Sequence, residues 1–100
     1  MRVREKEVGF KMNVGVLCDY NDWCAGNEKA SLFSAGLVKV EYMTRAYSAK
    51  NGGDYLTVAE LRELEPWELD DILKAAREEE KRSSKRQVET AEEPKKKADK

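Results

Sequence analysis

The apolar residues of this chain nearly stop after Ala76, and this break limits the core that the chain can build. The apolar side chains of residues 77–100 are Val88, Ala91 and Ala98. A segment this polar cannot offset the entropy lost when a chain is ordered. We therefore predict a folded domain over residues 1–82 and a disordered, charged tail over residues 83–100. A domain of this size buries only a modest core, so a large pocket is not expected.

The composition argues against an enzyme. The chain has no histidine, the commonest general base and nitrogen ligand for metals. Cys18 and Cys24 have no further cysteine or histidine to complete a zinc site, so we expect reduced, buried thiols. Paired carboxylates such as Glu65 and Glu68 are typical of a solvated helix face, because a catalytic carboxylate needs a shielded pocket. The sequence thus predicts no catalytic residues, no cofactor and no metal.

The charge and hydropathy patterns bear on location and partners. No apolar run approaches the roughly 20 residues of a membrane span, and no signal-peptide pattern follows the basic start at Met1–Lys6. These absences predict a cytoplasmic protein with no membrane partner. The 19 Lys and Arg nearly balance the 20 Asp and Glu, but residues 1–76 have a net charge of −3 and residues 77–100 a net charge of +2. A negatively charged domain binds phosphate poorly, which argues against nucleic acid as a partner.

The N-terminal region predicts a strand and then a helix. Val8, Phe10 and Met12 occupy every second position, the period of a half-buried strand, which we place at residues 7–13. Asn13 is placed to cap a helix that runs through Cys24. The Gly-Asn step at residues 26–27 then ends that helix.

The stretch from Ala30 to Tyr47 fits two patterns. A helical stripe is formed by Phe33, Leu37, Val40, Thr44 and Tyr47. The segment Val38–Tyr42 also alternates apolar and charged residues as a strand does. The length of the stretch favours a helix over a strand, whose usual length is roughly 5–6 residues. The Asn-Gly-Gly-Asp sequence at residues 51–54 must end the helix.

Two further helices follow, and their boundaries are the best marked in the chain. Thr57 and Glu60 have the spacing of a capping box, so a helix begins after Thr57. Pro66 ends this helix and suits the first position of the next one. The staple pairs flanking the two starts are Leu56 with Leu61 and Leu64 with Leu69. The buried face of the last helix is predicted to contain Leu69, Ile72, Leu73 and Ala76.

These elements together predict a mainly α fold. It is a small domain of about four helices with a short N-terminal β-strand and the disordered charged tail. Large aromatic residues exceed what one small core needs, and aromatic side chains are enriched in protein interfaces. The candidate partner-binding residues are Trp23, Tyr42, Tyr55 and Trp67. Phe33 and Tyr47 are instead expected in the core.

The order of these elements resembles the tail assembly chaperones of long-tailed bacteriophages and prophages. The resemblance covers residues 7–80, and its most distinctive part is the Leu-Thr-x-x-Glu-Leu step at residues 56–61. It implies a protein of the host cytoplasm that binds the tape measure protein and helps recruit major tail protein during virion assembly. Self-association is a further expectation in this role. Such families often make a longer product by ribosomal frameshifting.

The alternative from the residues alone is a small nucleic-acid-associated regulator. Its helix-turn-helix would lie between Thr57 and Ala76, and the basic tail would contact phosphates. A recognition helix should present Arg, Lys, Asn or Gln to base edges. The second helix here presents Glu68, Asp70 and Asp71 instead, which favours the chaperone.

Overall fold

The computed structural model describes the backbone of residues 1–99 and the side chains of residues 1–84. Its elements are, in chain order, β1 (Arg2–Val3), β2 (Lys6–Glu7), α1 (Val14–Gly26), α2 (Leu32–Asn51), α3 (Val58–Leu61) and α4 (Pro66–Asp99). The mainly α fold with a short N-terminal β element is confirmed. The backbone of α4 extends into the predicted tail as far as Asp99. The side chains from residue 85 onward lie outside the described residues, and the disorder of the free tail stays a prediction.

The β element is a hairpin that lies before the predicted strand. β1 and β2 pair antiparallel, with Arg2 opposite Glu7 and Val3 opposite Lys6. The strand predicted over residues 7–13 is wrong in position, because β2 ends at Glu7 and residues 8–13 form no strand. The alternation of apolar residues still marks an inward-facing side: Val8 is buried, and Phe10 and Met12 pack against the core.

Helix α1 begins and ends where the sequence predicts. The Asn13 side chain accepts a hydrogen bond from the Val16 N–H at 2.9 Å, and Asn27 caps the other end. Val16 is the buried residue of this helix. Helix α1 therefore contacts the rest of the domain along a narrow face. The expectation of two buried thiols is wrong: Cys18 is exposed and Cys24 is half-buried.

Helix α2 is the central element of the domain. It passes through residues 38–42 without a break, so the helical interpretation of this stretch is confirmed. It ends at Gly52 and Gly53, whose φ angles of 80° and 96° favour glycine. Leu37, Val40, Met43 and Thr44 are buried along it. Phe33 is the exception to the predicted stripe, since it lies in the first turn, beyond the cover of the other elements.

The capping box before α3 is confirmed. The Thr57 hydroxyl accepts from the Glu60 N–H at 3.2 Å, and the Glu60 carboxylate accepts from the Thr57 N–H at 3.0 Å. A second contact holds this helix start against α2: the Glu41 carboxylate accepts a hydrogen bond from the Val58 N–H at 2.8 Å. Pro66 is the first residue of α4, as predicted. α3 is thus one turn held between two long helices.

One hydrophobic core joins these elements. Its buried members are Val3, Val8, Val16, Leu37, Val40, Met43, Leu56, Leu61, Leu69, Ile72 and Ala76. The predicted inner face of α4 is confirmed, with Leu73 half-buried at its edge. Over the described residues, no helix is long and apolar enough to cross a membrane.

Candidate functional site

An open groove of about 690 Å³ lies between the start of α2 and the α3–α4 turn. We call it the apolar groove. Its lining residues are Trp23, Ala30, Phe33, Ser34, Leu37, Val38, Val58, Leu61, Arg62, Leu64, Pro66, Leu69 and Asp70. This volume is in the range of known ligand pockets. The expectation that so small a domain would lack a large pocket is therefore wrong.

The floor of the groove is part of the hydrophobic core. Leu37 and Val38 come from α2, Leu61 from α3 and Leu69 from α4, and all four are buried. The rigid neighbours α2 and α4 supply two walls. The short α3 supplies the third, and it is fixed there by its capping box and by Glu41. The floor is thus preformed by packing that the fold already needs.

Two aromatic residues form the rim. Trp23 of α1 is half-buried, and the Phe33 side chain is 61% exposed. Leu32, next to Phe33, is 91% exposed. Large apolar side chains held at this level of exposure mark a contact surface when they adjoin an apolar hollow. The groove and its rim therefore form one continuous apolar surface.

Arg62 and Asp70 are the charged residues that line the groove. Both are exposed. Among residues 1–84, whose side chains are described, neither forms an ion pair. Each is therefore available to a charge brought by a binding partner.

A lysine-centred cluster holds α1, and with it Trp23, against the other helices. The Lys39 ammonium lies 4.7 Å from the centre of the Tyr20 ring and 3.2 Å from the Glu80 carboxylate. Burial raises the pKa of Tyr20, as does its hydrogen bond with Cys24. One side chain of α2 therefore contacts both α1 and α4, which limits movement of the rim.

The hairpin is joined to the start of α4 by a second polar cluster. Arg4 donates two hydrogen bonds to the Glu68 carboxylate, at 3.1 and 2.9 Å, and Glu68 also accepts from the Glu65 N–H at 2.9 Å. These contacts lower the pKa of Glu68 to about 2, with the Arg4 hydrogen bond as the largest cause. Arg4 has a φ angle of 54°, a left-handed geometry that a non-glycine residue seldom adopts. The ion pair fixes the Arg4 side chain against the start of α4.

The four predicted partner-binding residues do not lie together. Trp23 lines the groove. Tyr42 is half-buried and packs against the core. Tyr55 is 37% exposed beneath the Arg45 guanidinium, which lies 5.0 Å from its ring centre. Trp67 is 67% exposed and faces the hairpin. Only Trp23 of this set therefore belongs to the groove.

Sequence reasoning missed Phe33 of the rim and its exposed neighbour Leu32. Phe33 was assigned to the core because it continues the α2 stripe, and Leu32 was not selected. The signal that marks them is their place in the first turn after the Ser31 cap. A helix end often extends beyond the elements that cover its middle, so apolar residues there can remain exposed.

Comparison with protein-family models, characterised proteins and solved structures gave no match for this chain. The resemblance to tail assembly chaperones stays a prediction from the sequence pattern.

Proposed function

We propose that this protein is a phage tail assembly chaperone that binds the tape measure protein and helps recruit tail tube subunits. The observation that carries the proposal is the apolar groove with its exposed rim at Phe33. The resemblance over residues 7–80 supplies the class of protein, and the groove supplies a means of binding.

The groove suits an amphipathic helix from another chain. Helix-in-groove recognition needs a preformed apolar floor, edges that accept side chains at helical spacing, and few buried charges. The floor at Leu37, Leu61 and Leu69 is buried and apolar, while the charges of Arg62 and Asp70 are exposed. Apolar helical stretches of a long tape measure protein are ligands of this kind.

Binding through one such groove would be weak, and many copies would act together. A tape measure chain offers repeated apolar stretches, so several copies on one chain would gain avidity without any new contact. Weak individual contacts also allow the copies to leave as tail subunits assemble. This matches a role during assembly in the host cytoplasm.

The structure adds nothing that favours the regulator. Asp70 and Asp71 are exposed on the first turns of α4, where a recognition helix would need donors for base edges. Glu68 is engaged by Arg4. A negative face at this position repels phosphate, so we retain the chaperone as the one proposal.

Co-expression with a long tape measure protein tests the proposal. We expect the wild-type chain to increase the soluble fraction of that protein. Phe33→Asp should abolish the increase, because a carboxylate at the rim would have to be desolvated on binding. Val14→Asp is the matched control. Val14 is 68% exposed in the first turn of α1 and lies outside the groove.

Trp67→Ala tests the other exposed aromatic surface. If the groove carries binding, this variant should keep the tape measure protein soluble. Full rescue by Phe33→Asp, or no rescue by the wild-type chain, would contradict the proposal.

A further inference from the structure

The C-terminal half of α1, residues 20–26, lies beside α2 but buries little there. The buried residue of α1 is Val16, in its first turn, whereas residues 20–26 are half-buried or exposed. Among residues 1–84, no hydrogen bond or ion pair joins α1 to another helix. A segment with so little burial opens locally at a lower free energy than the core does.

Lys39 of α2 supplies an electrostatic contact to this half of α1. Its ammonium lies 4.7 Å from the centre of the Tyr20 ring and 3.2 Å from the Glu80 carboxylate of α4. If α1 swings outward, Lys39 loses the ring but keeps Glu80 as its counter-charge. The Tyr20 side chain keeps its hydrogen bond with Cys24, because both residues belong to α1. Opening therefore leaves no charge unpaired.

The movement would carry one wall of the apolar groove with it. Trp23 lines the groove, and it lies three residues after Tyr20, on the same side of α1. The loop at residues 27–31, which connects α1 to α2, is exposed. The Asn27 N–H in this loop donates to the Cys24 carbonyl oxygen, which is a local bond. Such a loop can adjust while α1 pivots about its buried end at Val16.

We propose that the C-terminal half of α1 is a movable wall of the apolar groove, which the contact between Lys39 and Tyr20 holds closed. A ligand helix would displace Trp23 outward and so widen the groove. Lys39 does not line the groove, so it acts as a positioning residue, through Tyr20. The inference rests on the groove of the proposed function, but it concerns how the groove opens and not which chain it binds.

Hydrogen exchange of the full chain tests the role of Lys39. Lys39→Met removes the charge and keeps the length of the side chain. Exchange at the amides of residues 23–26 should then become about threefold faster or more. Exchange at Met43, which is fully buried in α2, should stay as in wild type. A general loss of stability would instead accelerate both sites alike.

Two variants serve as controls. Lys39→Arg keeps a cation over the Tyr20 ring and should keep the wild-type exchange rates. Arg45→Met removes the other cation–π contact of α2, in which the Arg45 guanidinium lies 5.0 Å from the centre of the Tyr55 ring. Neither Arg45 nor Tyr55 lines the groove, so exchange at residues 23–26 should not change.

Binding of 1-anilinonaphthalene-8-sulfonate, a fluorescent probe of apolar surface, tests the link to the groove. Its dissociation constant should fall by about threefold in Lys39→Met, because a larger fraction of the molecules is already open. Adding Phe33→Asp to that variant should remove the gain, since the new carboxylate lies at the groove's rim.

These measurements need no tape measure protein, so they stand apart from the co-expression assay. Unchanged exchange at residues 23–26 in Lys39→Met would overturn the inference, as would equal acceleration at Met43. The same acceleration in Arg45→Met would also count against it. Unchanged probe binding in Lys39→Met would show that α1 does not control the groove.

Discussion

Replacing Thr44 by valine should loosen the junction between α2 and the segment that leads into α3. Thr44 is fully buried, and its hydroxyl oxygen accepts a hydrogen bond from the Leu56 N–H at 3.0 Å. The same hydroxyl donates to the Glu41 carbonyl oxygen at 3.1 Å. Valine has nearly the same shape but offers neither bond. The Leu56 N–H would therefore remain buried without an acceptor.

The expected cost follows from these contacts. A buried donor without a partner costs about 1–3 kcal/mol. The additional buried methyl group of valine stabilises the fold by about 0.8 kcal/mol, which offsets part of this cost. Glu41 loses little, because its carbonyl lies within α2 and keeps its helical hydrogen bond. We expect a net decrease of about 0.2–2.2 kcal/mol in the free energy of unfolding. Each kcal/mol corresponds to a fall of about 4–8 °C in Tm for a domain of this size.

Urea unfolding followed by far-UV circular dichroism measures this change. Hydrogen exchange at the Leu56 amide gives a second, local measure. Thr44→Ser is the matched control, because it keeps the hydroxyl and removes only the methyl group. Leu56 should lose protection in the valine variant and keep it in the serine variant. Unchanged stability in Thr44→Val, or equal exchange at Leu56 in both variants, would refute the reasoning.

The remaining predictions concern the hairpin region and α2. Gly9→Ala should destabilise the domain by about 1–3 kcal/mol, since a methyl group there would lie 2.5 Å from the Tyr47 ring. Gly36→Ala meets no atom within 4 Å and should stabilise α2 by about 0.5–1 kcal/mol; thermal unfolding compares the two. Because the pKa of Glu68 is lowered from 4.5 to about 2, its pairing stabilises the protein above about pH 4.5, and this contribution is lost as the pH falls toward 2. Urea midpoints of wild type and Glu68→Gln should therefore converge over that range, whereas a constant difference from pH 6 to pH 3 would contradict the role of the ion pair.

Local signals in the sequence were sufficient for the helix boundaries. The helix starts are set by Asn13, by the Thr57–Glu60 box and by Pro66. Each of these acts on residues only a few positions away, so tertiary packing does not change its effect. The turn at Gly52 is equally local, since it needs a positive φ angle. These positions are confirmed because nothing distant competes with them.

The hairpin depends on distant contacts, and the sequence did not predict it. Its turn residues, Arg4 and Glu5, lack the glycine or asparagine that normally marks such a turn. The left-handed Arg4 pairs with Glu68, 64 positions further along the chain. No local pattern can indicate a contact of that kind.

The site was predicted only in part, because periodicity shows which residues share a face but not how far that face is covered. Trp23 was selected and does line the groove. Phe33 belongs to the apolar stripe of α2, but no other element packs over it, so it is exposed. Cys18 lies on α1, whose buried residue is Val16, so Cys18 is exposed as well. Exposure at helix ends depends on tertiary packing, which the sequence pattern does not contain.

The ion pairs of the hairpin also constrain the order of events during synthesis. The Val8 N–H donates to the Met1 carbonyl oxygen, so the hairpin's own hydrogen bonds need only the first eight residues. Lys6 and Arg4 pair with Glu60 and Glu68, which the ribosome adds much later. The earliest residues to be made are thus among the last to find their ionic partners, and a nascent chain stalled before Pro66 would contain Glu60 for Lys6 but would still lack Glu68, the partner of Arg4.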